Sequence, residues 1–257
     1  MIHATASVHP DATLGRNVSV GAYAYIGPAV EVGDGCRVGH HAVLEGPLRI
    51  GADNDIGPHA VLGMGPQDLG YQGEPTELRI GDRNVIREFV TIHRATVKAD
   101  RVTEVGNDNM LMAYCHVGHD CKVGNHIVMA NGATLAGHVV VHDHVNIAGL
   151  CAIHQFARIG AYAMLGGGTM APMDITPYAM VSGNHARLFG LNRRGLQRHG
   201  FDKEAVTRIR KAYRILFQSG LRLETALKTI EADPELSDDS IRYLLTFIRG
   251  SKRGITR

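Results

Sequence analysis

An aliphatic residue recurs at every sixth position over most of the chain, and this repeat constrains the fold more than any other feature. From Val8 to Leu165, 24 six-residue steps begin with an aliphatic residue or methionine, in two phases that differ by one residue. A period of six fits neither an amphipathic helix nor an ordinary alternating strand. It predicts short parallel strands joined by tight turns, with three strands and about 18 residues to a coil and one aliphatic side chain of each strand pointing inward.

Two neighbouring positions support this interpretation. Glycine follows many of the aliphatic residues, as expected where the backbone adopts positive φ or approaches another segment closely. The position four residues after each aliphatic residue is often small, and it holds all four cysteines, Cys36, Cys115, Cys121 and Cys151. We therefore expect the cysteines to be buried apolar fillers without a disulfide, redox or metal role.

The repeat also divides the chain. Two segments interrupt it, 64–78 and 97–104, and we expect them to be loops that leave the coil and carry function. The repeat ends near Pro172 and Pro177, and a helical pattern follows. The expected organisation is an all-β solenoid, a parallel β-helix over 1–190, followed by a C-terminal helical domain over 191–257.

Three helices are predicted in that second part. One covers 201–219, with Asp202 as its N-cap and Gly220 as its stop. Another covers 237–248, between a Ser237 cap and Gly250. A weaker pattern predicts a third helix over 223–232.

Charge is distributed unevenly along the chain. Residues 187–257 contain sixteen Lys and Arg against eight Asp and Glu, whereas the first 186 residues contain eleven against seventeen. The basic end is either a solvated helical face or a surface for an acidic partner, and charge alone leaves both open. The sequence shows neither a secretory signal nor an apolar run long enough to span a membrane. We expect a cytoplasmic protein with no membrane insertion and no nucleic-acid partner.

Candidate chemistry comes from stacking residues one coil apart. This places Gly137 and Gln155 over His119, and His138 over Asp120. A histidine beside a carboxylate is a candidate general base. A glycine stacked against it offers an unobstructed backbone N–H for an oxyanion. The arrangement suits acyl transfer to an alcohol or amine without a protein nucleophile.

Two other classes of function remain open from the residues. Zinc could bind a β-helix hydratase through His116, His119, His138 and His144. The polar columns and the long segment 64–78 favour a larger substrate over a hydration site. The chain could also be a binding protein without catalytic activity.

Several motifs together resemble one family, the UDP-N-acetylglucosamine acyltransferases, hexapeptide-repeat proteins that perform the first acylation of lipid A synthesis. The motifs are QDLGYQGEPT (67–76), IGDRNVIREFVTIHR (80–94), HVGHDCKVGN (116–125), LAGHV (135–139), IHQF (153–156), GNHA (183–186) and the terminal RGITR. The resemblance extends over nearly the whole chain. It implies a left-handed coil, although right-handed crossovers are the general rule.

The resemblance also implies roles for individual residues. His119 would be the general base, Asp120 its support and Gly137 the oxyanion donor. The sugar and acyl sites would be lined by Asp68, His93, His116, Asn131, His138 and Gln155. His154 and His185 would lie along the acyl or nucleotide path, Arg198 would meet the UDP phosphates, and Gly167 would leave room for a long acyl chain. No metal or cofactor is implied.

The implied donor is a (3R)-3-hydroxyacyl chain on acyl carrier protein, and the implied acceptor is the 3-position of UDP-N-acetylglucosamine. The acidic helix of the carrier would give the basic C-terminal region a partner. Members of the family are homotrimers with active sites between subunits, so a homotrimer is expected.

Three residues depart from the family pattern. Gly70 stands where well-known members have a lysine that contacts the sugar nucleotide, Arg194 where an acidic residue is common, and His199 where arginine is frequent. These positions bear on nucleotide binding. They leave two acceptors open, the ordinary 3-hydroxyl sugar and a 3-amino sugar.

Overall fold

Three β-sheets of very short strands build the first part of the molecule. The structure is a computed structural model that describes residues 1–257. Sheet 1 contains Ser7–Val8, Tyr25–Ile26, Val43–Leu44, Val61–Met64, Thr91–His93, His116–Val117, Thr134–Leu135, Ala152–Ile153 and Met170–Ala171. Sheet 2 contains Thr13–Leu14, Val30–Val32, Leu48–Ile50, Glu77–Ile80, Val102–Val105, Lys122–Val123, Val140–Val141 and Arg158–Ile159. Sheet 3 contains Ser19–Val20, Arg37–Val38, Asp55–Ile56, Val85–Ile86, Met110–Leu111, Val128–Met129, Asn146–Ile147, Met164–Leu165, Ala179–Ser182 and Arg187–Leu191.

Successive strands belong to sheets 1, 2 and 3 in turn, so the chain coils. Except for the antiparallel pair between Ala179–Ser182 and Arg187–Leu191, neighbouring strands within a sheet are parallel. His116 pairs with Thr134, and Thr134 with Ala152, which confirms the 18-residue spacing predicted for one coil. Residues one coil apart therefore lie over one another, as the stacking argument requires.

The two interruptions of the repeat lengthen individual coils. Residues 65–76 and 94–101 lie between strands; they are called the first loop and the second loop below. The expected excursions were 64–78 and 97–104. Glu77–Ile80 and Val102–Val105 instead form strands that pair with each other. The strands thus include the last two residues of the first expected excursion and the last three of the second, where Leu78 and Thr103 have already turned inward and are buried.

The aliphatic residues of the repeat fill the inside of the coil. All but Val8 and Leu14 belong to one cluster of 45 buried residues that runs along its length. All four cysteines are free and buried in this cluster, as predicted. Burying each such Val, Leu or Ile side chain contributes about 1.5–3 kcal/mol, so coil-on-coil stacking is the main source of stability.

A short column of asparagines interrupts the small residues of the interior. Asn54, Asn84 and Asn109 are all but fully buried. Asn54 Oδ1 accepts from the backbone and the amide nitrogen of Asn84, and Asn84 Oδ1 accepts from the backbone of Asn109. Because each amide is hydrogen-bonded to the next coil, these polar side chains are tolerated in the core.

Of the two reasons given for glycine after the aliphatic residues, close approach is the general one, and positive φ applies only at Gly63. A Cβ on Gly57 would lie 2.7 Å from the carbonyl carbon of Arg87 in the next coil. Positive φ occurs at the corners instead, three residues after the aliphatic residue, where His41, His59 and Phe89 have φ of 57°, 58° and 60°. The regular turns therefore place ordinary side chains in the left-handed region and stack them into columns.

The C-terminal part consists of α1 (Arg193–Arg198), α2 (Lys203–Gln218), α3 (Leu223–Glu231), a 3₁₀ turn (Pro234–Leu236) and α4 (Asp239–Arg249). The Asp202 cap is confirmed, since its side chain accepts from the backbone N–H of Ala205 at 2.6 Å. The Ser237 cap is wrong. Asp238 caps α4 by accepting from Ile241 N–H at 3.0 Å, so the helix starts one residue later than Ser237 would set it. Helix α1 was not predicted. No helix has both the length and the apolarity needed to cross a membrane.

The helices have their own core and are joined to the coil. Fifteen buried residues form a second cluster, which includes Tyr178 from the end of the coil. The hydroxyl of Tyr213 in α2 hydrogen-bonds Thr176 at 2.9 Å. The Arg158 guanidinium of sheet 2 lies 4.1 Å from the ring centre of Phe247 in α4. The helices thus pack over the last coils.

Candidate active site

The predicted pair of His119 and Asp120 lies at a corner between sheets 1 and 2. His119 Nδ1 is 2.7 Å from Asp120 Oδ2. The Asp120 side chain is fully buried, whereas 14% of the His119 side chain is exposed. Because Nδ1 faces the carboxylate, a proton on Nδ1 leaves the lone pair of Nε2 free to act as a base.

The second loop and a strand of sheet 2 hold Asp120 in place. Its carboxylate accepts from Thr96 Oγ1 at 2.8 Å and from the Thr96 backbone N–H, and its own N–H donates to Thr103 Oγ1 at 2.8 Å. Burial alone would raise the pKa of Asp120, but the hydrogen bonds from His119 and Thr96 outweigh it. The pKa therefore lies below its usual value, and the carboxylate stays ionised.

Gly137 lies against the His119 ring, one coil further on. A Cβ at Gly137 would lie 2.5 Å from His119 Cε1 and 2.7 Å from Nε2, so only glycine lets the imidazole take this position. The backbone N–H of Gly137 donates to no other group of the protein. A candidate base and a free N–H are thus neighbours, an arrangement that acyl transfer can use.

Three further histidines surround this pair. His138 Nε2 is 3.7 Å from Asp120 Oδ2, and its ring stacks on Phe156. His116 Nδ1 is 2.7 Å from Thr91 Oγ1. Burial lowers the pKa of both His116 and His138.

His93 is the most buried histidine of the group, 7% exposed, and its Nδ1 has no hydrogen-bond partner. Burial, and then the neighbouring His116 and His119, lower its pKa to about 4. With a pKa this low, the His93 imidazole is neutral at neutral pH. A neutral, unpartnered ring nitrogen suits contact with an uncharged sugar or acyl group.

Asp68, in the first loop, forms an ion pair with Lys98 of the second loop. Lys98 Nζ lies 2.8 Å and 2.6 Å from the two carboxylate oxygens, and Gly70 N–H donates to Oδ1 at 2.7 Å. The Lys98 ammonium, and then this N–H, hold the pKa of Asp68 below its usual value. Lys98 N–H also donates to Thr96 Oγ1, which in turn donates to Asp120, so this ion pair adjoins the catalytic corner.

The residues expected along the acyl path fall into two groups. His154 and His185 together line a groove of about 200 Å³ whose other walls are Ala152, Ile153, Met170, Ala171 and Pro172. Gln155 follows His154 on the same corner as His119. Asn131 and Gly167 instead follow strands of sheet 3 and lie at the corner between sheets 3 and 1. A single chain thus places them across sheet 1 from His119.

Arg198 also lies away from His119. It lines a cavity of about 550 Å³ on the outer side of sheet 3, together with Arg193 and Arg194. None of these three arginines forms a salt bridge within the chain. The His199 ring packs against His144, with ring centres 4.6 Å apart and planes tilted by 54°. The cavity can therefore bind an anion, but on another face of the coil.

A single chain does not bring the four candidate zinc ligands together. His144 lies at the corner between sheets 2 and 3, where its ring stacks on His126 and Tyr162. Ligand atoms of His119, Asp120 and His138 do lie within 4.8 Å of one another. In these three residues the carboxylate is already shared between the two imidazoles, which makes a hydrogen-bonded base the arrangement that the geometry favours.

Sequence reasoning missed the residues that hold the corner from the loops. Thr96, Thr103 and Lys98 lie in or beside the second loop, where no repeat predicts which residue faces which. The only available signal was that the second loop comes one coil before the His119–Asp120 corner.

The chain is similar to known acyltransferases. Residues 174–256 match a family model described as UDP-N-acetylglucosamine O-acyltransferase, domain 2, and residues 11–46 and 103–137 match bacterial transferase hexapeptide repeats. The acyl-(acyl carrier protein)–UDP-N-acetylglucosamine O-acyltransferases of Herminiimonas arsenicoxydans and Halorhodospira halophila are 46% and 49% identical to this chain, each covering 100% of it and 99% of the relative.

Solved structures agree as well. The UDP-N-acetylglucosamine acyltransferase of Bacteroides fragilis superposes with a TM-score of 0.97 at 41% identity, over 100% of both chains. The corresponding protein of Acinetobacter baumannii also gives 0.97 at 41% identity, over 100% of this chain and 99% of that one.

Proposed function

Because the chain belongs to the acyl-(acyl carrier protein)–UDP-N-acetylglucosamine O-acyltransferase family, we propose that His119 catalyses its transfer reaction as a general base. The protein is an acyltransferase of the first step of lipid A synthesis. It moves a (3R)-3-hydroxyacyl chain from acyl carrier protein to the 3-position of UDP-N-acetylglucosamine. The observation that carries the mechanism is the His119 imidazole, held between the Asp120 carboxylate and the Gly137 backbone.

The steps follow from the position of each group. His119 Nε2 takes the proton of the sugar 3-hydroxyl while the oxygen of that hydroxyl attacks the thioester carbonyl carbon. The carbonyl oxygen becomes an oxyanion that accepts from Gly137 N–H. The C–S bond then breaks, and the departing thiolate takes the proton back from His119. Asp120 stabilises the imidazolium between these steps and does not itself accept the proton.

The other polar residues of the corner are proposed to bind the substrates. Asp68, His93, His116, His138 and Gln155 surround the space in front of His119, and we assign them to the sugar and to the carbonyl end of the acyl chain. Asp68 offers a carboxylate for a sugar hydroxyl, and His93 offers an uncharged ring nitrogen.

The apolar groove with His154 and His185 at its rim is the proposed acyl path. Its lining of alanine, isoleucine, methionine and proline suits a hydrocarbon chain. At Gly167, a Cβ would meet nothing nearer than the Gly149 carbonyl oxygen at 3.6 Å. This open space supports a long acyl chain.

We propose that the working enzyme is a homotrimer, since one chain does not gather the whole site. Arg198 lies on the outer side of sheet 3, and Asn131 and Gly167 at the corner between sheets 3 and 1, whereas His119 lies at the corner between sheets 1 and 2. If a neighbouring copy places its sheet 3 face beside this His119, Arg198 meets the nucleotide phosphates with a guanidinium fork that suits them.

The remaining assignments concern the architecture and the donor. We propose a left-handed parallel β-helix over 1–190 and a helical domain over 191–257; the two separate hydrophobic clusters support this division. The basic helical region is the proposed docking surface for the acidic acyl carrier protein. We propose a cytoplasmic location.

A transfer assay with 3-hydroxyacyl carrier proteins of several chain lengths tests this proposal. His119→Ala is expected to lower kcat about 10³-fold, within the usual contribution of a positioned base. His41→Ala is the matched control, because His41 also lies at a corner of the coil but has no carboxylate partner, and it should keep normal turnover. Near-normal turnover of His119→Ala would refute the base assignment.

The same assay run with both acceptors decides the reacting atom. Gly70, Arg194 and His199 alter the nucleotide side of the site, so UDP-N-acetylglucosamine is compared with its 3-amino analogue. We expect the ester product. Product formed only from the amino sugar would show that the hydroxyl acceptor is wrong.

A further inference from the structure

One salt bridge joins the two loops that leave the coil beside the catalytic corner. Lys98, in the second loop, contacts both carboxylate oxygens of Asp68 in the first loop, at 2.8 Å and 2.6 Å. The Asp68 side chain is 15% exposed and that of Lys98 is 55% exposed. The carboxylate is therefore largely withdrawn from water, and its nearest counter-charge is this ammonium.

The backbone of Lys98 is tied to the catalytic pair as well. Lys98 N–H donates to Thr96 Oγ1 at 3.1 Å, and Thr96 Oγ1 donates to Asp120 Oδ2 at 2.8 Å. The same Asp120 oxygen lies 2.7 Å from His119 Nδ1. Residues 96–98 thus link the carboxylate that orients the base to the carboxylate of the first loop.

The contacts of Asp68 use only part of the hydrogen-bonding capacity of its carboxylate. An ionised carboxylate has about four lone-pair positions. Two contacts from Lys98 and one from Gly70 N–H account for three of them. One position remains for a donor group of the substrate, and its direction is set by the three contacts already made.

The charge of Asp68 also needs balancing. A nucleotide sugar brings a diphosphate, and an uncompensated carboxylate nearby would repel it. The Lys98 ammonium removes that repulsion while leaving the carboxylate ionised and able to accept a hydrogen bond.

We propose that Lys98 is a positioning residue for the acyl acceptor, which fixes the Asp68 carboxylate and cancels its charge toward the incoming diphosphate. This inference rests on the proposed function, because the nucleotide sugar is what brings the diphosphate. Lys98 acts through Asp68 and takes no part in the proton transfer at His119.

Position 70 is a second place in the chain from which a lysine can contact the Asp68 carboxylate. A Cβ at Gly70 would lie 3.5 Å from Lys98 Nζ and 3.2 Å from Asp68 Oδ1, both of which are ends of flexible side chains. Gly70 is not in the left-handed region of φ. A lysine introduced there can therefore reach Asp68 from the first loop itself.

The test compares Lys98→Gln and Lys98→Arg with the intact protein, using calorimetric binding of UDP-N-acetylglucosamine and steady-state kinetics. For Lys98→Gln we expect Kd and KM to rise about tenfold, the effect of a lost charged contact, with kcat changed less than about twofold. Lys98→Arg should stay close to the intact protein, because its fork can contact both carboxylate oxygens. A partly exposed ion pair adds little stability, so the melting temperature should hardly change.

Lys122→Gln is the matched control. Lys122 also forms an ion pair with a carboxylate of the second loop, that of Asp100, but Lys122 itself lies on a strand of sheet 2. Its loss should leave Kd and KM unchanged. The double variant Lys98→Gln with Gly70→Lys should recover most of the binding.

Three results would overturn the inference. They are an unchanged Kd in Lys98→Gln, an equal loss in Lys122→Gln, or no recovery in either Lys98→Arg or the double variant. Binding of the nucleotide sugar without transfer by the intact protein would instead refute the proposed function, and Kd would still decide the role of Lys98. No binding by the intact protein would refute both.

Discussion

Two corners of the same coil share one backbone geometry and differ in what they can do. At the corner between sheets 1 and 2, Asp120 and His138 have φ of 60° and 62°; at the corner between sheets 3 and 1, His59 and Phe89 have φ of 58° and 60°. Rings stack at both. His138 lies 4.5 Å from Phe156 at the first corner, and the rings of the second follow one another at 4.9–5.1 Å.

The difference lies in two details of the first corner. It has a buried carboxylate hydrogen-bonded to a histidine, and a glycine where a Cβ would displace that histidine. The second corner, called the aromatic column below, has exposed rings stacked on one another, and none of them is hydrogen-bonded to a carboxylate; its members are Tyr23, His41, His59, Phe89 and Tyr114. A regular turn thus becomes a candidate catalytic site through a few substitutions and the loops that pack on it, without any change of backbone.

The largest effect is expected from closing the space at Gly137. In Gly137→Ala the new Cβ would stand 2.5 Å from the His119 ring, so the imidazole must leave its position and the oxyanion donor is blocked. We expect kcat/KM to fall about 10³-fold, or about 4 kcal/mol of transition-state stabilisation. Steady-state kinetics measure this.

Gly27→Ala is the control for that variant. Gly27 lies at the same corner in an earlier coil, and its Cβ would meet only the flexible side-chain ends of Tyr25 and Glu45, at 3.2–3.3 Å. It should keep full activity. If Gly137→Ala retained more than about a tenth of the activity, the contact between glycine and imidazole would not be what distinguishes the two corners.

A second effect concerns stability in acid, and it comes from the buried histidine of the catalytic side. The pKa of His93 is lowered to about 4 by burial, and then by His116 and His119, whereas an unfolded histidine has a pKa of about 6.5. Between these values the unfolded chain binds more protons than the folded one. Stability is therefore complete above about pH 6.5 and falls as the pH drops toward 4, by up to about 3 kcal/mol.

Urea unfolding at pH 7 and at pH 4.5 measures that loss. His93→Gln cannot take up the proton, so its free energy of unfolding should fall less over the same interval. Burial also lowers the pKa of His116, His138, His142 and His144, which act in the same direction and contribute to the remaining loss. An equal loss in the variant and the intact protein would contradict a role for His93.

The two corners also differ in how far they could be predicted. The six-residue period fixes which residues stack, so the contact between His119 and Gly137 and the burial of the four cysteines follow from counting. The loops have no period. Nothing in the sequence indicated that Thr96 would hold Asp120, that Lys98 would pair with Asp68, or that Val102–Val105 would already be a strand.

The helical part could also be predicted only incompletely, because its details depend on local geometry. Ser237 and Asp238 are both good N-caps and adjacent, and only the geometry decides that Asp238 accepts from Ile241 N–H. The six residues of α1 are too few for a periodic pattern to show. Arg198 could be named in the sequence, but its separation from His119 in a single chain depends on which sheet each residue follows, and only the coordinates reveal that.

The smallest effect is expected at the aromatic column. Phe89 lies between His59 and Tyr114, with ring centres 5.0 Å and 4.9 Å away, and it is 42% exposed. Phe89→Ala should lower the free energy of unfolding by about 1 kcal/mol, the usual contribution of aromatic pairs, and leave kcat unchanged. Phe89→Gly removes the same ring but relieves the positive φ of 60°, so it should be at least as stable as the alanine variant. Urea unfolding and the transfer assay measure the two quantities separately. A fall in kcat in both variants would mean that the column takes part in the reaction, and the contrast between a catalytic and a purely structural corner would be wrong.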